Sequence, residues 1–376
     1  MNRPIKSLEG MRGLAALLVV LYHAKVSRPP IFDNGYLAVD LFFVLSGFVI
    51  CATYGSRLQR IPDLPAFVAR RLGRLWPVHL VGLMLYIANW NLVAWILSAH
   101  PVGLPPLSEF VANLTMVHGF NLFDRLVGDF SSWSSADEFY VYLMFAAICI
   151  LARGRHRVAI LAVCALSAWA ICVWASTVQD DCLHRGRCLE LTFRFGWARC
   201  VAGFFLGALL AEYRDTHIVR ALSRGHAQLV VAAAALVYMN LAGSLRGLAF
   251  AAPVVFVFLI AAVASDEGPA ARFFQRPMWL SLGKVSYSLY LVHADLLGPL
   301  FAPLAGLHPR PLAAVLATTV VYLVGSVLLA HVVYRFVEAP CRDRVNRMSR
   351  RWERPSTKNV QASYDVPSDA PVAGIR

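Results

Sequence analysis

About ten apolar segments dominate this sequence and restrict the fold that it can adopt. A membrane-spanning α-helix needs about 17–25 predominantly apolar residues. A helix also satisfies its backbone hydrogen-bonding groups within its own segment, as the bilayer core requires. We therefore predict an all-α, polytopic bundle of about ten membrane-spanning helices. The predicted spans are 10–27, 36–54, 75–97, 138–152, 158–178, 195–212, 227–243, 248–265, 282–303 and 312–334.

The composition agrees with a membrane protein. Hydrophobic residues make up 58% of the 376 residues and charged residues only 15%, which is more apolar surface than a soluble core can bury. The net charge of +13 is compatible with nucleic-acid binding in principle. The basic residues, however, lie in short loops between apolar segments, as in membrane proteins that follow the positive-inside rule. We therefore expect contact with membrane lipids and none with nucleic acid.

The distribution of arginine predicts the orientation. Basic residues are frequent in alternate loops and scarcer in the loops around 98–137 and 179–194. Because cytoplasmic loops carry an excess of Lys and Arg, we predict both termini in the cytoplasm and these two loops outside. Arg12 and His23 interrupt the first apolar run, so it reads as a retained helix rather than a cleaved signal peptide. We predict one membrane-embedded domain over 1–345 and a disordered cytoplasmic tail over 346–376.

Arg12 and His23 are ionisable residues inside the first apolar run. Eleven positions at 3.6 residues per turn return them to nearly the same helix face, roughly 16 Å apart along the axis. A charged residue within a membrane helix costs roughly 2.5–3.5 kcal/mol, so its presence indicates a functional site. Histidine can also transfer protons near neutral pH.

Three further polar residues lie in or beside predicted spans, and each has two readings. Asp40, at the outer end of the second span, can orient His23 or can cap its own helix. Glu138 can accept a proton or bind an acceptor sugar, or it can favour the helix N-terminal dipole. His293 can be a second polar group that lines the cavity beside His23, or it can make a structural hydrogen bond.

Two arginines near the start of the third span share a helix face. Arg71 and Arg74 are three residues apart and can chelate a phosphorylated ligand with their forked donors. Alternatively, they determine topology and contact lipid headgroups. Glu338 lies among arginines at the end of the last span. This placement predicts a cytoplasmic helix terminus that is clasped to its neighbours by a salt bridge.

The cysteines give little sign of a metal site. Of eight cysteines, only Cys182 and Cys188 share a predicted outside loop, where they either form a disulfide or remain reduced. Their spacing, without paired histidines nearby, is weak evidence for metal binding, and we predict no metal. A nucleotide-binding glycine loop, a zincin helix and a nucleophile elbow are all absent from the sequence.

Six motifs, in this order, resemble those of the acyltransferase 3 family of bacterial integral-membrane O-acyltransferases. The resemblance covers roughly residues 5–345 and departs from the usual pattern at Ala38 and Ala136. It implies transfer of an acyl group, most often acetyl, from cytoplasmic acyl-CoA to a hydroxyl of an envelope carbohydrate, in the bacterial inner membrane. The motifs are LEGMRGLAA (8–16) with His23, GYLAVDLFFVLSG (35–47), RLGR (71–74), WSSADEFY (133–140), SYSLYLVH (286–293) and RFVEAP (335–340).

The resemblance also implies roles for individual residues. The pairs associated with activity in the family correspond to Arg12 with His23, and to the two arginines of RLGR. Acyl transfer to a hydroxyl needs a base and oxyanion donors. We expect His23 to be the base or a transient acyl carrier, with Asp40 or Glu138 as its orienter, and Arg12 to line the route or polarise the thioester carbonyl.

Arg71 and Arg74 are then expected to hold the phosphates of coenzyme A at the cytoplasmic mouth. Acetyl-CoA would be a donor substrate rather than a permanently bound cofactor. Transfer is direct or uses a separate periplasmic partner. A proton-coupled transporter or flippase is the alternative function, because the same ionisable residues can form a proton relay. A purely structural scaffold leaves those residues unexplained.

Overall fold

The structure, a computed structural model, describes residues 5–24, 29–98, 100, 103–301 and 312–352. The described residues form helices and contain no β-strand, which confirms the all-α prediction. The longer helices are α1 (Lys6–His23), α2 (Ala38–Tyr54), α3 (Leu64–Ser98), α4 (Leu107–Leu114), α5 (Trp133–Leu151), α6 (Gly154–Trp174), α7 (Gly196–Glu212), α8 (Gly225–Leu241), α9 (Ala252–Val263), α10 (Pro277–Val292), α11 (Leu312–Val333) and α12 (Ala339–Ser349).

Short helical turns connect or extend these helices. A 3₁₀ turn leads into α2, and π turns follow α6 and α11. The short elements are Pro30–Asp33, Gly35–Leu37, Ile61–Asp63, Ala175–Gln179, Cys182–Arg185, His217–Leu222, Leu248–Ala251, Pro269–Phe274, Ala294–Leu296, Leu297–Phe301, Tyr334–Glu338 and Arg350–Trp352.

Within the described residues, 5 continuous helical segments are long and apolar enough to cross a membrane. These findings indicate a membrane protein, but they do not establish the predicted number of about ten spans. The other predicted spans correspond to shorter or more polar helices, such as α1, α7 and α10. The segments are Gly35–Tyr54, Ile61–Ser98, Trp133–Leu151, Gly154–Gln179 and Leu312–Trp352.

Several helices begin or end at residues other than the ends of the predicted spans. The third predicted span began at 75, but α3 begins at Leu64, so the RLGR motif (71–74) lies inside a helix. The ninth was predicted to continue to 303, but α10 ends at Val292. Arg74 need not lie in an aqueous loop because Glu338 pairs with it within the protein.

The ends of the chain also differ from the prediction. The first span was predicted over 10–27, whereas α1 ends at His23, which is therefore a helix-terminal residue rather than an interior one. The tail was predicted to begin at 346, but helical structure continues to Trp352. Residues 353–376 lie outside the described residues.

The most extensive contact between two helices joins α2 and α7. Glycine makes this contact possible. A Cβ atom added to Gly47 would lie 1.8 Å from the carbonyl oxygen of Phe204, and one added to Gly207 would lie 2.0 Å from that of Val44. Small residues allow helix backbones to approach closely in membrane bundles. The two helices thereby hold Asp40 and Arg199 side by side.

The N-terminus of α1 is anchored by the carboxylate of Asp266. The backbone N–H groups of Ser7 and Lys6 donate hydrogen bonds to this carboxylate, at 2.7 and 3.2 Å. Burial alone would raise the pKa of Asp266, but the hydrogen bonds that it accepts outweigh burial and lower the pKa. The start of the helix that carries Arg12 and His23 is therefore fixed by a charged side chain outside the spans.

Candidate active site

Three cavities follow one another along the helix bundle. We name them by the two ends of α1. The Lys6-end cavity has a volume of about 1210 Å³, the central cavity about 80 Å³ and the His23-end cavity about 350 Å³. Arg12, Arg71 and Arg74 line both of the first two cavities, whereas Val39 and Tyr290 line both of the last two. The cavities are therefore neighbours in a series along α1, and the central one is the smallest.

His23 lines the His23-end cavity and contacts a second histidine. Nδ1 of His23 lies 2.9 Å from the carbonyl oxygen of Val19 and 3.2 Å from Nε2 of His293. Nδ1 of His293 lies 2.7 Å from the carbonyl oxygen of Tyr290. A carbonyl can only accept, so both Nδ1 atoms carry a proton when the rings are neutral. Nε2 is then the basic nitrogen of His23, and Nε2 of His293 accepts a hydrogen bond from Nδ1 of His23.

The loop before α5 contacts His23. The ring of Phe130 meets His23 edge-on, with centroids 5.5 Å apart and an interplanar angle of 87°. Its neighbour Asp129 is buried outside the spans, and burial raises the pKa of Asp129 to about 7. The loop thus combines an aromatic contact to His23 with a buried carboxyl group whose pKa is raised.

Asp40 does not serve His23 in this structure, contrary to the role predicted for it. Its carboxylate is fully buried and accepts two hydrogen bonds from Arg199, from Nε at 2.9 Å and from Nη2 at 2.6 Å. Arg199 Nη2 also donates to the carbonyl oxygen of Tyr36 at 2.8 Å. Such a bidentate pair has a well-defined geometry. Asp40 therefore joins α2 to α7 rather than orienting the imidazole.

Arg199 is absent from the residues predicted above. It lies within the apolar run 195–212, and a lone arginine in such a run is the sequence signal that points to a functional or paired charge. Its partner Asp40 is 159 residues away in the chain, so the pairing itself is visible only in the fold.

Arg74 forms the clasp expected at Glu338. The Arg74 guanidinium donates to Oε1 of Glu338, and Ser288 Oγ donates to Oε2 at 2.6 Å. The guanidinium also lies over the ring of Tyr287, 5.5 Å from its centroid. Glu338 is buried, so this ion pair ties α3 to α10 and to the turn after α11. Arg74 has a structural partner in addition to its position on two cavities.

Arg71 and Arg12 present unsatisfied donors beside the central cavity. The Arg71 guanidinium lies 5.3 Å from the ring centroid of Tyr54 and 5.8 Å from that of Tyr142. The Nε atoms of both arginines are buried and have no hydrogen-bond partner among the described residues. Buried N–H groups in folded proteins are normally paired with protein, water or ligand. These two donors are therefore suited to an electron-rich group entering from the Lys6 end.

Glu138 also lines the central cavity, and its described contacts do not include His23. Its carboxylate accepts a hydrogen bond from the Tyr142 hydroxyl, which lies 2.9 Å from Ser46 Oγ. The preceding residue, Asp137, is buried with neither carboxylate oxygen hydrogen-bonded among the described residues. The structure thus places Glu138 with Arg12 and Arg71, away from the imidazole that it was predicted to orient.

A disulfide joins Cys182 and Cys188, the two cysteines for which bonded and reduced states were both open. Within the part of the chain that the structure describes, no group of three or more His, Cys, Asp or Glu side chains could hold a metal ion.

Comparison with known proteins identifies the family. The acyltransferase domain of the acyltransferase 3 family (Acyl_transf_3) matches residues 5–335. A 101-residue stretch is 40% identical to protein 2 in the picA locus of Rhizobium radiobacter and covers 26% of this chain and 49% of that protein. No solved structure matches significantly.

Longer but more distant similarities agree with this match. The chain is 28% identical over 306 residues to BcsY of Komagataeibacter xylinus, a provisionally named membrane-bound transacylase, covering 77% of this chain and 72% of BcsY. It is 22% identical over 370 residues to SACOL0978 of Staphylococcus aureus, a provisionally named O-acetyltransferase, covering 90% of this chain and 58% of that protein. The chain thus spans between half and three quarters of the length of these relatives. The match over residues 5–335 shows that the chain belongs to the acyltransferase 3 family.

Proposed function

We propose that the protein transfers an acyl group, most simply acetyl, from cytoplasmic acyl-CoA to a hydroxyl of an envelope or exported carbohydrate. The protein would be a multi-pass enzyme of the bacterial inner membrane. The observation that carries this proposal is the series of three cavities along α1, with basic residues at one end and a histidine pair at the other. Family membership supports the reaction class.

The Lys6-end cavity has the charge that a coenzyme A donor requires. Because the basic residues that line this cavity outnumber the acidic ones, the cavity attracts anions. By the positive-inside rule we expect this end of the bundle to face the cytoplasm. Its basic residues are Arg12, Arg71, Arg74, Arg214, Arg220, Lys284 and Arg342, and its acidic residues are Glu9, Asp215 and Glu267. We assign the phosphates of the donor to this cavity and the acyl-pantetheine arm to the narrower space beyond it.

The dimensions of α1 separate the roles of Arg12 and His23. The helix is continuous from Lys6 to His23, so the two residues are about 16 Å apart along its axis. One thioester carbonyl cannot contact both residues at once. We therefore assign Arg12 to the route of the arm, and we place the transfer step beside His23.

At the His23 end the chemistry needs a base close to the acceptor hydroxyl. Nε2 of His23 takes the hydroxyl proton as the oxygen attacks the thioester carbon. The carbon–sulfur bond then breaks, and the imidazolium returns the proton to the departing thiolate of coenzyme A. His293 supports this step as a positioning residue, because its Nε2 accepts from Nδ1 of His23 and so favours the imidazolium.

The test is acyl transfer by purified protein in lipid nanodiscs. The substrates are labelled acetyl-CoA and de-O-acetylated envelope glycan from the bacterial strain that naturally makes this protein, called the producing strain below. His331 supplies a matched control, because its Nδ1 also bonds the carbonyl oxygen four residues earlier, at 2.8 Å. We expect His23→Ala to abolish transfer and His331→Ala to retain it. Transfer at the wild-type rate by His23→Ala would overturn the assignment. Glycan movement without thiol release from the donor would favour the transporter alternative.

A further inference from the structure

The loop closed by the Cys182–Cys188 disulfide lies against the His23-end cavity. The hydroxyl of Tyr36 donates to the carbonyl oxygen of Cys188 at 3.0 Å, and the backbone N–H of Leu189 donates to Ser176 Oγ at 3.3 Å. The loop is thus attached both to the segment before α2 and to the end of α6. The disulfide limits the positions that the residues just after Cys188 can take.

Arg187 of this loop and Glu190, which follows two residues after Cys188, contact the residue next to His23. Glu190 accepts a hydrogen bond from the hydroxyl of Tyr22, and Arg187 Nη1 donates to the same oxygen at 3.3 Å. Arg187 also lies over the Tyr22 ring, 5.9 Å from its centroid, and 3.7 Å from the Glu190 carboxylate. Arg187, Glu190 and Thr192 all line the His23-end cavity. The loop and the residues just after Cys188 therefore form one wall of the space in which His23 lies.

The residues that line this cavity suit a polyhydroxylated ligand. The side chains of Arg187 and Glu190 are 52% and 38% exposed, and Phe130, which lines the same cavity, is 47% exposed. Arginine offers only donors and an ionised glutamate only acceptors, so the pair can bind hydroxyls in both directions. The exposed aromatic ring offers an apolar face for a sugar ring. The cavity, at about 350 Å³, is at the lower end of the range for small-molecule sites.

We propose that the disulfide-closed loop, together with the residues just after Cys188, is the acceptor-recognition element, and that Arg187 and Glu190 bind hydroxyls of the sugar unit that is acylated beside His23. This inference rests on the proposed function and names the acceptor side of the same site. A ligand held between the loop and Phe130 lies next to the imidazole without entering the smaller central cavity. The disulfide keeps the wall in place and suits a loop exposed to an oxidising compartment.

The first experiment measures transfer kinetics against the concentration of de-O-acetylated envelope glycan from the producing strain. Arg185→Ala is the matched control, because Arg185 belongs to the same loop but does not line the His23-end cavity. We expect Arg187→Ala and Glu190→Gln each to raise the KM for the glycan about 10-fold, the loss of a hydrogen bond to a charged group. The KM for acetyl-CoA should remain unchanged, and Arg185→Ala should behave as wild type.

The second experiment breaks the disulfide in two ways. Cys182→Ser combined with Cys188→Ser should raise the KM for the glycan, and a membrane-impermeant reductant should do the same to the wild-type protein. The doubly substituted protein should not respond to the reductant. Acetyl-CoA binding, measured in parallel, reports whether each variant is folded.

The outcomes separate this inference from the proposed function. Wild-type protein that transfers no acetyl group to the glycan contradicts the proposed function itself. Wild-type transfer with an unchanged glycan KM in both Arg187→Ala and Glu190→Gln overturns the role of the loop alone. A glycan KM raised equally by Arg185→Ala would also overturn it, because the effect would then be general to the charge of the loop.

Discussion

The buried ion pair between Asp40 and Arg199 gives the most quantitative prediction. The side chains are 0% and 2% exposed, and two hydrogen bonds join them. Asp40→Ala leaves the guanidinium buried without its carboxylate, and breaking a buried pair in this way costs about 3–5 kcal/mol. The remaining bonds of Arg199 to the carbonyl oxygens of Tyr36 and Leu191 do not neutralise its charge. We expect a loss of unfolding free energy in that range.

The assay is denaturant unfolding of the purified protein in detergent micelles. Asp343→Ala is the control, because Asp343 pairs with Arg342 at the surface, where such pairs contribute about 0–1 kcal/mol. Replacing both members, Asp40→Leu with Arg199→Met, removes the unpaired charge and should recover most of the loss. An Asp40→Ala variant within 1 kcal/mol of wild type would refute the reasoning, as would a double variant no more stable than the single one.

Three further predictions concern the donor, the first helix and the topology. Arg71→Ala and Arg74→Ala should each weaken coenzyme A binding, measured by calorimetry, and lysine should restore it only in part because an ammonium lacks the forked donors. Folding lowers the pKa of the Asp266 carboxyl, which anchors α1. The ionised carboxylate therefore stabilises the fold fully above its unfolded-state pKa, and this contribution is lost as pH falls through the folded-state pKa. The unfolding temperature of the wild-type protein should therefore fall to that of Asp266→Asn only at acidic pH. Reporter fusions at Arg57 and Arg185 should lie on opposite sides of the membrane, and the same side would contradict the predicted orientation.

The sequence is sufficient to predict the class of fold, because long apolar runs have few structural solutions in a membrane. It is less informative about where helices begin. Residues 64–74 carry three arginines, yet they are helical, and Arg74 pairs with Glu338 inside the bundle. The end of α10 at Val292 is also difficult to predict from the sequence, because residues 293–303 are nearly as apolar as those before them.

The candidate site was predictable in its residue types but not in its pairings. Arg12, His23, Arg71 and Glu138 all line the series of cavities, as ionisable residues in apolar runs suggest. The partner of His23 depends on where α10 ends relative to α1, and the partner of Asp40 on how α2 packs against α7. Such long-range contacts are set by helix packing, which the spacing of residues within one segment does not specify.

The central claim is that the donor enters at the Lys6 end and that the acyl group reaches its acceptor at the His23 end. The most direct measurement uses proteoliposomes in which all molecules share one orientation, with labelled acetyl-CoA supplied only on the side of the Lys6-end cavity and de-O-acetylated glycan only on the opposite side. We predict labelled glycan with the wild-type protein and none with His23→Ala. Label on the glycan only when both substrates are on the same side would contradict the account.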